Sequence, residues 1–173
     1  VYDFDTQDGI DYLVTELVSG ARIPELIAAG PPPLQEVLKI GEQLAEGLAA
    51  AHAVGLVHRD VKPANVFLSK EEDPWRVRRL DLGLARETTQ TDSAVTQAGV
   101  AMGTPDYIAP EQVRGETDLD GRVDIYSLGA TLFHALAGQP PFVGDNPIAV
   151  TFAHCSREPP SIRSTRSDVP EGI

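Results

Sequence analysis

A carboxylate, an amine and an amide stand within six residues of one another in this chain. They are Asp60, Lys62 and Asn65 of the run His58-Arg59-Asp60-Val61-Lys62-Pro63-Ala64-Asn65. Those three groups suit phosphoryl transfer. A carboxylate can orient a hydroxyl and accept its proton, an ammonium can neutralise charge on a phosphate in flight, and an amide oxygen can hold a metal ion. A carboxylate at this place could also cap a turn, but its neighbours favour chemistry. Further on, Asp81-Leu82-Gly83 follows a strand-like run. Asp81 offers a second metal ligand, and Gly83 lets the backbone turn sharply beside it.

Groups of this kind need a rigid frame, and the chain supplies one. Leu34, Val37, Leu38, Gly41, Leu44, Ala45, Leu48 and Ala49 recur at helical spacing, with Gln35, Glu36, Lys39, Glu42, Gln43 and Glu46 opposite. This pattern predicts a long amphipathic helix that begins after Gly30-Pro31-Pro32-Pro33 and stops near Gly55. Short strand-like runs at 65–68 and 77–80 follow, so His58–Asn65 falls in a loop between helix and strand. A second helix is expected from about Asp124, carrying apolar Ile125, Leu128, Leu132, Phe133 and Leu136, with little charge and hence buried, and ended by Gly138 and Pro140-Pro141. A weaker helix is expected near Pro147–His154. At the start, Val1–Phe4 and Tyr12–Val18 read as a hairpin turning at Gly9, and a short helix is expected over Ile23–Ala29. Thr88–Gly99 is polar and aperiodic and reads as a loop. The tail Arg157–Ile173 has little apolar content and is expected to be poorly ordered.

Composition narrows the class. The chain has 173 residues, enough for one domain with a real core. Its net charge is −12, the wrong sign for a nucleic-acid binder. No apolar run reaches the ~20 residues that a membrane helix needs, and the acidic start does not resemble a signal peptide. The single cysteine, Cys155, allows no internal disulfide and fits a reducing, cytoplasmic setting.

Taken in order, four segments resemble the protein kinase family. His58-Arg59-Asp60-Val61-Lys62-Pro63-Ala64-Asn65 matches its catalytic loop, and Asp81-Leu82-Gly83 stands where the family has Asp-Phe-Gly. Gly103-Thr104-Pro105-Asp106-Tyr107-Ile108-Ala109-Pro110-Glu111 resembles the end of the activation segment, and Asp124-Ile125-Tyr126-Ser127-Leu128-Gly129 the start of the buried central helix. The style of Pro63-Ala64-Asn65 and Ile108-Ala109-Pro110-Glu111-Gln112 is similar to the eukaryotic-like Ser/Thr kinases of bacteria.

The resemblance implies an α+β, kinase-like fold, with residues 1–18 as the end of the small lobe and hinge and 19–173 as a mainly helical large lobe, incomplete at its C-terminus. It implies transfer of the γ-phosphate of ATP, with Mg2+, to Ser or Thr hydroxyls of protein substrates. Asp60 is then the base, Lys62 the lysine that reaches the γ-phosphate, and Asn65 and Asp81 the magnesium ligands. Thr104 touches Asp60 and Lys62. Glu16 to Val18 form the hinge that holds adenine, with Thr15 as gatekeeper. His58 packs beneath the site, and Asp124 hydrogen-bonds the catalytic-loop backbone. His52, His134 and His154 are expected to do nothing chemical.

Arg59 beside the base implies switching by a phosphate on the activation loop, with Thr96 in Val95-Thr96-Gln97 as the autophosphorylated position. The chain shows no Gly-rich phosphate loop, and before the catalytic loop its only lysine, Lys39, lies in the long helix. The expectation is therefore a piece of a longer kinase, poorly active alone, with a pseudokinase scaffold as the alternative. Full-length relatives of this style are often membrane-anchored, and a homodimer is possible.

Overall fold

The computed structural model describes residues 2–7, 10–14, 17, 19–69, 75–80, 86–87 and 105–171. Strands β1 (Asp3–Gln7) and β2 (Ile10–Val14) form an antiparallel hairpin in which Asp3 faces Val14 and Gln7 faces Ile10. The hairpin expected from the sequence is present, but its first strand runs three residues beyond Phe4. Its second strand begins two residues before Tyr12, and the turn at Gly9 lies outside the described residues.

A two-residue strand β3 (Ala21–Arg22) leads into helix α1 (Ile23–Ala28), which Pro24 opens. Helix α2 (Leu34–Ala53) follows the prolines. Strand β4 (Leu56–Val57) pairs with β7 (Arg86–Glu87). Strand β5 (Val66–Ser69) lies between β3 and β6 (Arg76–Leu80) in an antiparallel sheet. Among the described residues three further α-helices follow, α3 (Pro110–Val113), α4 (Arg122–Ala137) and α5 (Pro147–Ser156).

The main core gathers Ile23 of α1, Val37, Ile40, Leu44 and Leu48 of α2, Val66 and Leu68 of β5, and Leu128, Ala135 and Leu136 of α4. The buried stripe of α2 is rotated from the one expected. Ile40 belongs to it, whereas Ala45 and Ala49 are exposed and Leu38 is half-buried. Those three follow Leu44, Leu48 and Val37 by one residue, about 100° round the helix, which carries them off the seam. Gly41 lies where α2 meets α4, since a Cβ there would come within 2.9 Å of Leu132 Cδ1. Gln43, on the half-buried flank, ties α2 to the sheet. Its oxygen accepts from the Val77 amide at 3.0 Å, and its nitrogen donates to the Trp75 carbonyl at 3.3 Å.

Helix α4 begins two residues before Asp124, and Ile125 is 56% exposed rather than buried. Gly138 ends it in the left-handed conformation, with φ 75°. Helix α5 is capped by Asn146, whose side chain accepts from the Ala149 amide at 2.9 Å.

The tail departs most from expectation. It is anchored rather than poorly ordered. Ile162 and Val169 enter the main core. Arg166 donates to the carbonyls of Pro32 and Leu136, the latter in the last turn of α4, where a cation also meets the negative end of the helix. Two apolar residues and one arginine suffice to dock a segment whose composition reads as polar.

Candidate active site

The loop after β4 is held from below by one carboxylate. Asp124, in the first turn of α4, is 0% exposed. Its Oδ2 accepts from the His58 amide at 2.8 Å and its Oδ1 from the Arg59 amide at 2.7 Å. His52, in the last turn of α2, brings Nε2 to 2.7 Å from Oδ2. A buried carboxylate is tolerated only when paired and hydrogen-bonded, and these three contacts meet that need. The role expected of Asp124 is thus what the geometry displays. His58 is buried, as the resemblance implies. His52, expected to do nothing chemical, touches the residue that shapes the loop. Only its place in the last helical turn before the loop could have signalled this.

Arg59 takes φ 66°, the left-handed region that side chains disfavour. The turn lifts Asp60 clear, while Val61 drops into the main core. Asp60 and Lys62 therefore stay half-exposed on either side of a buried anchor. Lys62 is extended, and Pro63 opens a single 3-10 turn, Pro63–Asn65, that swings Asn65 back.

These three side chains meet. Lys62 Nζ lies 2.8 Å from Asp60 Oδ2 and 3.0 Å from Oδ1. Asn65 Nδ2 donates to Asp60 Oδ2 at 2.9 Å and to the Asp60 carbonyl at 2.9 Å. Both of those partners can only accept, which fixes the amide orientation and leaves Asn65 Oδ1 as a hard oxygen donor pointing elsewhere. An oxygen of that kind fits Mg2+, which takes few protein ligands and keeps waters or phosphate oxygens for the rest. Among the described residues, no group of three or more His, Cys, Asp or Glu is placed to hold a metal.

Glu16, Val18, Asp81, Thr96 and Thr104, with the gatekeeper Thr15, lie outside the described residues. The end of the activation segment is described from Pro105. Ser127 Oγ donates to the Tyr107 carbonyl at 2.7 Å, seating the 3-10 turn Pro105–Tyr107 on α4. Tyr107 Oη is 2.6 Å from His134 Nδ1, and Tyr126 Oη is 2.7 Å from His154 Nδ1. Burial, and then the Asp106 charge, hold the Tyr107 hydroxyl protonated well above its ordinary range. Burial first, then the nearby Cys155 and Glu111, pushes Tyr126 up to about 12. Burial moves both histidines the other way, below the usual imidazole value, against an opposing pull from Asp106. Each pair thus joins a protonated tyrosine hydroxyl to an imidazole whose charged form is disfavoured. These pairs were not expected.

A buried aspartate at the head of a central helix, clamping a loop with an Asp-Lys-Asn cluster, defines a kinase-type large lobe. The model of the protein kinase domain matches residues 1–169, and the chain belongs to that family. It is 38% identical to the serine/threonine-protein kinase PknB of Mycolicibacterium smegmatis, over 98% of this chain and 27% of that protein. It is 41% identical to the serine/threonine-protein kinase pkn2 of Myxococcus xanthus, over 92% of this chain and 19% of that protein. It is 39% identical to PknB of Mycobacterium leprae, over 87% of this chain and 24% of that protein. The chain thus spans about a quarter of the length of the curated relatives it matches. Among the described residues, no helix is long and apolar enough to cross a membrane.

Proposed function

We propose that the protein carrying this chain transfers the γ-phosphate of ATP to Ser or Thr hydroxyls of protein substrates. The observation that supports this most is the Asp60 carboxylate, aimed by Lys62 Nζ and Asn65 Nδ2. Asp60 orients the substrate hydroxyl and takes its proton as the new O–P bond forms. The bond from the γ-phosphorus to the bridging oxygen breaks, and ADP leaves with that oxygen. Lys62 shields the carboxylate and offers its remaining N–H groups to the transferring phosphate. Mg2+ held by Asn65 Oδ1 and Asp81 would neutralise charge on the phosphates. Thr104 orders Asp60 and Lys62, and Glu16 and Val18 hold the adenine through the hinge backbone.

Regulation follows from Arg59. Its Nε is buried and has no hydrogen-bond partner among the described residues. A phosphate on Thr96 would answer that cation, so Thr96 is proposed as the autophosphorylated position. A cytoplasmic kinase domain within a membrane-anchored, homodimeric full-length protein is the setting the resemblance suggests.

The test is intact mass of the full-length protein after incubation with ATP and Mg2+, beside Asp60→Asn. Added phosphate that the variant lacks is expected, with Thr96 among the modified positions on peptide mapping. Wild-type protein that gains none points to a pseudokinase or to an enzyme that needs an activating partner, and phosphate found only away from Thr96 removes that assignment alone.

A further inference from the structure

Gln112 bridges two segments that the phosphotransfer scheme leaves unconnected. It is the third residue of α3. Its Oε1 accepts from the Ala109 amide at 3.1 Å, and its Nε2 donates to the Arg59 carbonyl at 3.1 Å. The amide orientation is fixed by the partners, because a backbone N–H only donates and a carbonyl only accepts. The Ala109 contact is half of a helix-capping exchange and by itself would explain a glutamine here. The Arg59 contact is not part of any cap.

Arg59 is the strained residue of the loop, with φ 66°. A side-chain-bearing residue in that region costs about 1–2 kcal/mol and persists only where its surroundings hold it. Two side chains hold this one, from different parts of the chain. Asp124 takes its N–H at 2.7 Å, and Gln112 takes its carbonyl. That carbonyl shares a rigid peptide plane with the Asp60 N–H, which donates to His58 Nδ1 at 3.2 Å. Rotating this peptide would turn the backbone from which the Asp60 carboxylate is aimed.

We infer that Gln112 is a positioning residue for Asp60, fixing the Arg59–Asp60 peptide and so coupling the end of the activation segment to the aim of the base. The link runs through one donor hydrogen bond, which makes it separable from the cap. Gln112→Glu keeps an oxygen for the Ala109 amide. It loses the donor to Arg59 and sets a negative oxygen against that carbonyl. Gln112→Met keeps the length and loses both contacts.

The kinetic arm of the test rests on the proposed kinase activity, and a second arm does not. In the full-length protein, Gln112→Glu should lower kcat about tenfold, in the range seen when an outer support of a reacting group is lost. The KM for ATP should stay at its wild-type value, and the unfolding midpoint should fall only by the share of one lost hydrogen bond. Hydrogen exchange should quicken over residues 58–62 and stay unchanged over 34–53. Gln112→Met should show the same loop exchange with a still lower midpoint. Gln112→Glu with wild-type kcat and wild-type loop exchange would reduce the residue to a cap and overturn the inference. If wild-type protein transfers no phosphate, the kinase reading fails and the exchange arm alone decides; unchanged 58–62 exchange in both variants then overturns it. If Gln112→Glu does not fold, Gln112→Met read by exchange serves in its place.

Discussion

Asp60 is held by two donors, Lys62 and Asn65, and can accept a proton only as the ionised carboxylate. Asp60→Asn keeps the shape and removes the basicity, so phosphate transfer should fall by at least about a hundredfold, the usual share of a positioned base. Steady-state assay against a Ser/Thr peptide checks this, and a variant within threefold of wild type would remove Asp60 from the chemistry. Asp124 acts one step behind it. Asp124→Asn keeps an acceptor at only one of the two oxygen positions and turns an NH2 toward the loop amide, His58 or Arg59, that used the other. A buried donor left unmet costs about 1–3 kcal/mol, so urea unfolding should show a loss of that order together with reduced activity. The motif made the meeting of Asp60, Lys62 and Asn65 and the clamp by Asp124 legible in the sequence, because these residues keep a fixed order along the chain. Gln112 and His52 were not legible in that way. Their partners lie 53 and 72 residues away, and neither residue type is unusual in its helix.

At the level of elements, periodicity located the helices but not their rotation or their reach. In α2 the small alanines at 45 and 49 mimic a buried face, while Ile40 carries the burial, because spacing alone cannot tell which flank of a stripe meets α4. The tail was misread for a related reason. Its two apolar residues that reach the core, Ile162 and Val169, stand among polar ones, and sparse anchors leave no periodic signal. Val169 is 1% exposed, and removing its two methyl groups should cost about 2 kcal/mol. Urea unfolding of Val169→Ala checks this; a wild-type midpoint would mean that Ile162 and Arg166 dock the tail without it. Gly138 ends α4 at φ 75°. Gly138→Ala should cost about 1 kcal/mol by the same measurement, because the left-handed cap tolerates a Cβ poorly.

The whole molecule carries a net charge of −12, yet its response to mild acid should be set by two histidines rather than by its carboxylates. Burial disfavours the charged forms of His134 and His154, each is hydrogen-bonded to a tyrosine hydroxyl, and together they tie the 105–107 turn and α5 to α4. Asp106 is the charged group that pulls both the other way. With folded values below the ordinary imidazole pKa of about 6.5, the unfolded chain takes up protons first as pH falls. Stability from these pairs is therefore complete above about pH 6.5 and declines through the range below it, before the carboxylates titrate. Thermal unfolding should show a midpoint flat from pH 8 to 7 that falls between pH 6.5 and 5. The double variant His134→Gln with His154→Gln, whose side-chain amides can donate or accept but do not titrate, should flatten that fall. A double variant with the full wild-type slope would move the acid sensitivity elsewhere in the fold.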